Sequence, residues 1–501
     1  MNRKTLLPHT EEYLSRLSDL LELSLEPTDC NLLNGEVVVV NGHTSSSTSS
    51  FMNGHINNKS SVNQTGLGIT EQGFLYEAAA QLIAGGGGSG VGGNVSDDGD
   101  RIGQLFRVLL TPVMIQYDQF VTKYITEQNP KLAEVRGVLV KQVTDLITRT
   151  TKVFSQPKSV ITSGCEAVLI DAMRLIISEL SRFPTEAASP GRQAACAGVR
   201  AFLHRMVACI MPSPSPASSA PGESGNTSSS VTSDMLLAAL VDAVPQLVKP
   251  LRSTTSSCYN GGGSHQLSDI MVDAEQRWKE IRDVIPLVTQ VLLRYKNQSI
   301  PFLSTCLPGL LEAIMNALNE PLPSDQPTLS EERKLLRRGY LQLLQSIYQS
   351  VPDVFSQLIS ENIVQSLSTV LGQVQACLEC EDPVGLRSGI ILFLQLIQSA
   401  GHDTRFYEDF LLLHFIPFCI LAPISPAFHT TDGQFILILD KISECLYILS
   451  QKQDGLHTYL KDYFLPRQQL SPELIQSYTT ALKSNLKDFQ SFIRSFYSRF
   501  H

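Results

Sequence analysis

The 501-residue sequence contains no uninterrupted apolar run of ~18 residues, the length a spanning helix needs, and its start, MNRKTLLPHTEEYLSRLSDLLEL, has no apolar core of a signal peptide. Secretion and membrane insertion are therefore not expected. Positive charge is also scarce. Lys and Arg number 39 against 48 Asp and Glu, a formal charge of -9, so a general coating of nucleic acid is excluded and any polyanion must meet a local basic patch. The ten cysteines have no framework spacing and read as small buried hydrophobes in a reducing compartment. Cys377 and Cys380 form an isolated C-x-x-C, and the nearest candidates for further ligands, His402, His414 and Cys419, lack metal-site spacing. No metal and no bound cofactor is expected.

Catalytic signatures are missing as well. There is no G-x-S-x-G, no H-E-x-x-H and no carboxylate pair at acid/base spacing. The glycine-rich GGGGSGVGG lacks the GK[ST] ending of a phosphate loop and runs into the acidic residues 94–100, so it reads as a linker. His204, in AFLHRM, is the best histidine candidate and reads as a hydrogen-bonded helix residue. An enzyme is not expected.

What the chain does contain is helical periodicity. In GQFILILDKISECLYILSQ, Phe435, Ile438, Leu439, Ile442, Leu446 and Leu449 recur on one helix face. Asp382 before Pro383, and Ser471 before Pro472, read as N-caps followed by first-turn prolines; Ser330 reads as the cap of a helix led by Glu331 and Glu332. Helices of this size are marginal alone and must be stabilised by neighbours. Units of roughly 40 residues, two helices each, stacked in series satisfy that need, so the predicted fold is all-α, an α-solenoid of HEAT-like repeats. A length beyond ~250 to 300 residues also means either several domains or a solenoid, not one globule.

The predicted organisation is a short N-terminal helix in 1–27, a disordered Ser/Asn-rich insertion in 28–73, basic HEAT-like helices in 74–210, a Pro/Ser-rich linker in 211–233, a helix with a flexible loop in 234–265, and C-terminal HEAT-like helices in 266–501. Among these C-terminal helices, a single one is expected to cover 330–350 and another 353–378. The final helix, with Phe489, Phe492, Phe496 and Phe500 on one face, caps the array.

Charge singles out one stretch. Residues 101–205 hold 14 Lys or Arg against 8 Asp or Glu, a local excess of +6 in an acidic chain. Lys141, Arg149 and Lys152 share a helix face, with Lys158 in the loop beyond, and Arg192, Arg200 and Arg205 follow on the next helix. Such a stripe suits phosphates along an A-form stem, recognised by shape; an ordinary solvated face is the alternative. A second cluster, Arg333, Lys334, Arg337 and Arg338, shares its helix with Glu331 and Glu332, which can pair with it.

A series of blocks carries a resemblance: GFLYEAAAQLI, LLTPVMIQYDQF, RTTKVFSQPKSV, GCEAVLIDAMRLI, GVRAFLHRM, IPLVTQVLLRY, SIPFLSTCLPGLLEAI, LRRGYLQLLQSI, HFIPFCILAPISPAF and YFLPRQQLSPELIQSYTTAL. In sequence and order these resemble the exportin-T family, the tRNA exportins of the importin-β superfamily, from about Phe74 to Phe500. The resemblance implies a receptor that binds mature tRNA together with Ran-GTP in the nucleus, passes nuclear pore proteins and releases both ligands in the cytoplasm, GTP entering only through Ran. It also implies the C-terminal half of such a receptor, with the family's main Ran-binding arch lying before the equivalent of Phe74, so that Ran binding by this chain is expected to be weak. The other class that fits is a HEAT scaffold that binds proteins and carries no RNA.

Overall fold

The computed structural model describes residues 7–16, 69–86, 95–125, 130–155, 163–181, 190–212, 227–248, 264–321, 326–359, 362–399 and 406–499. All regular structure among them is helical. The chain divides into two compact units, one of Met1–Phe183, Ser189–Met211 and Ser219–Ser233, the other of Asp234–His501 with Pro184–Ala188 and Pro212–Ser218.

The first unit holds α1 (Leu7–Arg16), α2 (Ile69–Gly86), α3 (Val95–Ile125), α4 (Pro130–Thr150), α5 (Ser163–Leu180) and α6 (Pro190–Cys209). Helix α7 (Thr227–Val248) starts in the first unit and continues in the second. Alternate helices stack: α2, α4 and α6 lie side by side in one row, and α3 and α5 form the other. Small residues set the spacing. A methyl added at Gly137 of α4 would lie 2.5 Å from Gly191 Cα and closer still to its carbonyl, and one added at Gly198 of α6 would lie 2.9 Å from Lys141 Cα. Backbones in such contact leave no room for a side chain between them. Gly137 meets Gly191, Thr144 meets Gly198, and Thr151, just past α4, meets Arg205. Each pair is 54 residues apart, so α4 and α6 run parallel in fixed register.

The second unit continues with α8 (Ser264–Tyr295), α9 (Ile300–Asn319), α10 (Pro327–Ser350), α11 (Pro352–Ile359), α12 (Ile363–Glu379), α13 (Pro383–Ser399), a π-helix (Phe406–Phe415), α14 (Ile416–Leu421), α15 (Gly433–Lys452), α16 (Pro472–Leu482) and α17 (Leu486–Tyr497). Here α8, α10, α13, α15 and α17 form one row. Side chains that bridge neighbours in this row are 44 to 55 residues apart, as in Arg338–Asp382 and Lys452–Ile397, so the step is longer than the roughly 40 residues expected. The first four helices of the row, of 17 to 32 residues, account for the difference.

The expected stripe on α15 is the core stripe: Phe435, Ile438, Leu439, Ile442, Leu446 and Leu449 are all buried, and Asp432 Oδ1 accepts from Gln434 N at 2.7 Å as the N-cap. Ser471 also caps as expected, accepting from Leu474 N at 3.3 Å, and Phe489 and Phe496 are buried while Phe492 is half-buried. Phe500 lies outside the described residues. Other local expectations are corrected. Ser330 is not a cap, because Pro327 starts the helix one turn earlier and Gln326 is the N-cap. The helix expected over 353–378 is two, the second capped by Asn362, whose Oδ1 accepts from Gln365 N at 3.1 Å. Asp382 holds the expected N-cap position before Pro383, its carbonyl accepting from Leu386 N at 3.0 Å, while its buried carboxylate pairs with Arg338.

Helices α2, α3 and α7 begin at Ile69, Val95 and Thr227, inside segments expected to lack regular structure. The Ser, Thr and Asp residues read there as loop composition are also those that favour helix starts and complement the positive end of the dipole. By average hydropathy, Val231–Val248 and Ala274–Asn319 are long and apolar enough to cross a membrane, although neither is an uninterrupted apolar run. Leu236, Leu240, Val244 and Leu247 in the first, and Val284, Leu287, Val291 and Phe302 in the second, are buried within the protein.

Candidate nucleic-acid interface

The row of α2, α4 and α6 buries one face and presents the other. On α2, Tyr76, Ala79, Ala80 and Ile83 are buried, whereas Glu71, Phe74, Ala78 and Gln81 recur at helical spacing on the exposed side. The exposed line of α4 is Val138, Lys141 and Asp145, continued by half-buried Arg149 and by Lys152 in the 3₁₀ turn Thr151–Ser155. That of α6 is Ala197 and Ala201 with half-buried Arg200, His204 and Arg205. The sequence-predicted Lys141, Arg149 and Lys152 thus share one face, and parallel stacking brings Arg200 and Arg205 onto the same side of the row.

Each cation has its own surroundings. Lys152 Nζ lies 3.1 Å from Glu77 of α2, an exposed pair worth little to stability. One turn earlier, the Arg149 guanidinium lies 5.4 Å from the centre of the Phe74 ring and packs along Gly73. Asp145 stands among these cations; burial raises its pKa, and Lys141 and Arg149 pull it back to some extent. Arg205 donates from Nε to Thr151 Oγ1 at 3.1 Å and from Nη2 to the Thr151 carbonyl, so it closes the end of α4. Arg192 is only 3% exposed and sits in the first turn of α6, behind the face it was expected to join. Lys158 lies outside the described residues. A further cation of α4, Arg136, is buried against Glu179 of α5 at 2.6 Å and belongs to the core.

The second predicted cluster is tied up within its own unit. Arg333 stacks over Trp278, 5.1 Å from the ring centre, and donates to the Glu320 carbonyl; burial foremost, then repulsion from Arg337, lowers its pKa. Arg337 is buried and donates to Gln373 Oε1 at 3.1 Å and to Cys380 Sγ at 3.5 Å. Arg338 binds Asp382 at 2.7 Å, and that hydrogen bond raises its pKa. Only Lys334 takes a neighbouring glutamate, Glu331 at 3.8 Å, while Glu332 pairs with Arg282 of α8.

Sequence reasoning passed over Phe74. Its signal was a phenylalanine on the polar side of a helix whose opposite side already carried Tyr76. Among the described residues, no group of three or more His, Cys, Asp and Glu is placed to hold a metal ion. Cys377 is buried and its thiol is pushed up, mainly by burial, as is that of Cys380.

A protein-family model described as Exportin-T matches residues 265–501. Over 99% of the chain, the Exportin-T proteins of Pongo abelii and Homo sapiens are each 26% identical to it, the match covering 42% of either relative. The Danio rerio Exportin-T is 24% identical over 86% of the chain and 39% of its own length. The chain therefore spans less than half the length of these relatives. No solved structure matches it.

Proposed function

We propose, from the premise that the chain belongs to the exportin-T family, that it is the C-terminal half of a non-enzymatic nuclear export receptor carrying tRNA from nucleus to cytoplasm with Ran-GTP. The observation that carries this reading is the match to Exportin-T proteins over nearly the whole chain. The exposed α2–α4–α6 face is the tRNA contact, with Lys141, Arg149 and Lys152 meeting phosphates and Arg200 and Arg205 flanking them. Arg192 supports the face from behind, and Lys158, read from the sequence alone, is counted with the phosphate contacts. A folded RNA fits because phosphate contacts are read by spacing and shape, needing no pocket. Arg333, Lys334, Arg337 and Arg338 hold their own unit together and are secondary. Shuttling passes through contacts with nuclear pore proteins, and Ran-GTP is bound weakly by residues 1–501 alone.

Filter binding of tRNA to the full chain across a salt series tests this. Affinity should fall steeply with salt, and K141Q/R149Q/K152Q should lower the magnitude of the log–log slope by about 2 to 3. A wild-type chain that binds no tRNA, or binds it without salt dependence, would return it to the protein-binding scaffold class.

A further inference from the structure

We propose that Phe74 and Arg149 form a stacking platform for one unpaired nucleobase of the RNA, a contact distinct from the phosphate contacts beside it. The inference rests on the RNA-binding reading of this face. Phe74 is 62% exposed, on the opposite side of α2 from the buried Tyr76, Ala79 and Ala80, so its ring contributes little to the core. It is nevertheless held. Arg149 lies over the ring at 5.4 Å from its centre, and Gly73 makes that approach possible: a Cβ there would stand 3.0 Å from Arg149 Cδ and Nη1. The next residue on the exposed line is Ala78, whose methyl is too small to screen the ring.

Charge complementarity identifies the occupant. Lys152 follows Arg149 by three residues and Lys141 precedes it by eight on the same line, so a strand whose phosphates meet these cations passes the ring. Bases stack on aromatic side chains irrespective of identity because every base has a π-face, and an arginine on the aromatic ring adds a cation–π contribution. Stacking needs a base free of its helix, so the platform takes a single-stranded end or an extruded base, not an A-form stem.

The test compares Phe74→Ala and Phe74→Trp with wild type, all as the full chain, on two RNAs: a blunt duplex and the same duplex with a short single-stranded 3′ tail. Wild type should prefer the tailed RNA. Phe74→Ala should lose roughly five- to a hundredfold in affinity for it, with the salt slope unchanged, and should bind the blunt duplex as wild type does. Phe74→Trp should retain or improve tail binding. Equal affinities of wild type and Phe74→Ala for the tailed RNA, or equal losses on both RNAs, would overturn the platform while leaving RNA binding intact. Failure of the wild type to bind either RNA would overturn both readings, and recovery of a protein ligand through Phe74 in its place would assign the ring to that partner.

Discussion

Replacing Gly137 by alanine tests whether close backbone contact fixes the row that carries the candidate interface. A glycine-to-alanine change inside a helix normally stabilises it by about 1 kcal/mol, since glycine loses the most backbone freedom on folding. At Gly137 the added carbon would lie 2.5 Å from Gly191 Cα, against an ordinary contact of 3.4 Å or more, and the obstacle is backbone that cannot rotate away. Helices α4 and α6 must part, at an overpacking cost of roughly 2–3 kcal/mol, the upper part of the usual range because the obstacle is backbone; this outweighs the propensity gain and leaves a net loss of roughly 1–2 kcal/mol. Gly372, within α12, is the control: nothing lies within 4 Å of an added carbon, so alanine there should stabilise. Hydrogen exchange resolved by peptide separates the two. Amides of α4 and α6 should exchange roughly 5- to 30-fold faster in Gly137→Ala, and those of α12 more slowly in Gly372→Ala. If both substitutions slow exchange, the close contact between α4 and α6 does not govern their packing.

Four further outcomes follow from the geometry of the charged residues. Asp145→Asn should tighten RNA binding at neutral pH by removing the carboxylate that acts on Lys141 and Arg149, and an affinity equal to wild type would mean that RNA does not approach this line. Because burial raises the Asp145 pKa, its folded value lies above its unfolded one; its contribution to stability is present below the unfolded pKa and lost as pH rises through the folded value. The wild type should therefore gain RNA affinity as pH falls toward the acid range, and Asp145→Asn should lack that component of the rise. Arg136→Met alone should destabilise the first unit by roughly 3–5 kcal/mol by leaving Glu179 buried without its cation, whereas Arg136→Met with Glu179→Leu should recover most of it in denaturant unfolding. Arg338→Ala should lower the thermal midpoint while leaving tRNA affinity unchanged, since its partner is the buried Asp382; a fall in affinity without loss of stability would assign the second cluster to RNA.

Helical class was legible in the sequence because the core lines obey one period, and α15 is the clearest case, its six predicted residues all buried. Boundaries were legible where a single cap marked them, as at Ser471, and not where two starts competed: Pro327 outdid Ser330 as the start of α10. The pairing of α4 and α6 left a trace. Gly137, Thr144 and Thr151 recur every seven residues, as do Gly191, Gly198 and Arg205, but small residues acquire meaning only once the helices they belong to are known to touch. At the candidate interface, the identity and face of Lys141, Arg149 and Lys152 could be read from spacing. Their partners could not: Glu77 is 75 residues from Lys152, and the carbonyl that engages Arg205 is 54 residues away. Burial is equally non-local, which is why Arg192 counted toward the face and lies behind it.

The parallel register of α4 and α6 has an electrical side. The 54-residue offset sets Ser155, the end of the 3₁₀ turn after α4, level with Cys209, the end of α6, so the two carbonyl-rich termini finish flush. In an antiparallel pair the macrodipoles cancel; here their negative ends add along one edge. Lys152 and Arg205 stand at that edge, and Arg149 one turn before it. They offset a field generated by the stacked backbones themselves, so an arriving polyanion meets a smaller potential than a count of cations suggests. Replacing these residues removes a counter-charge from the helices as well as a contact from the ligand.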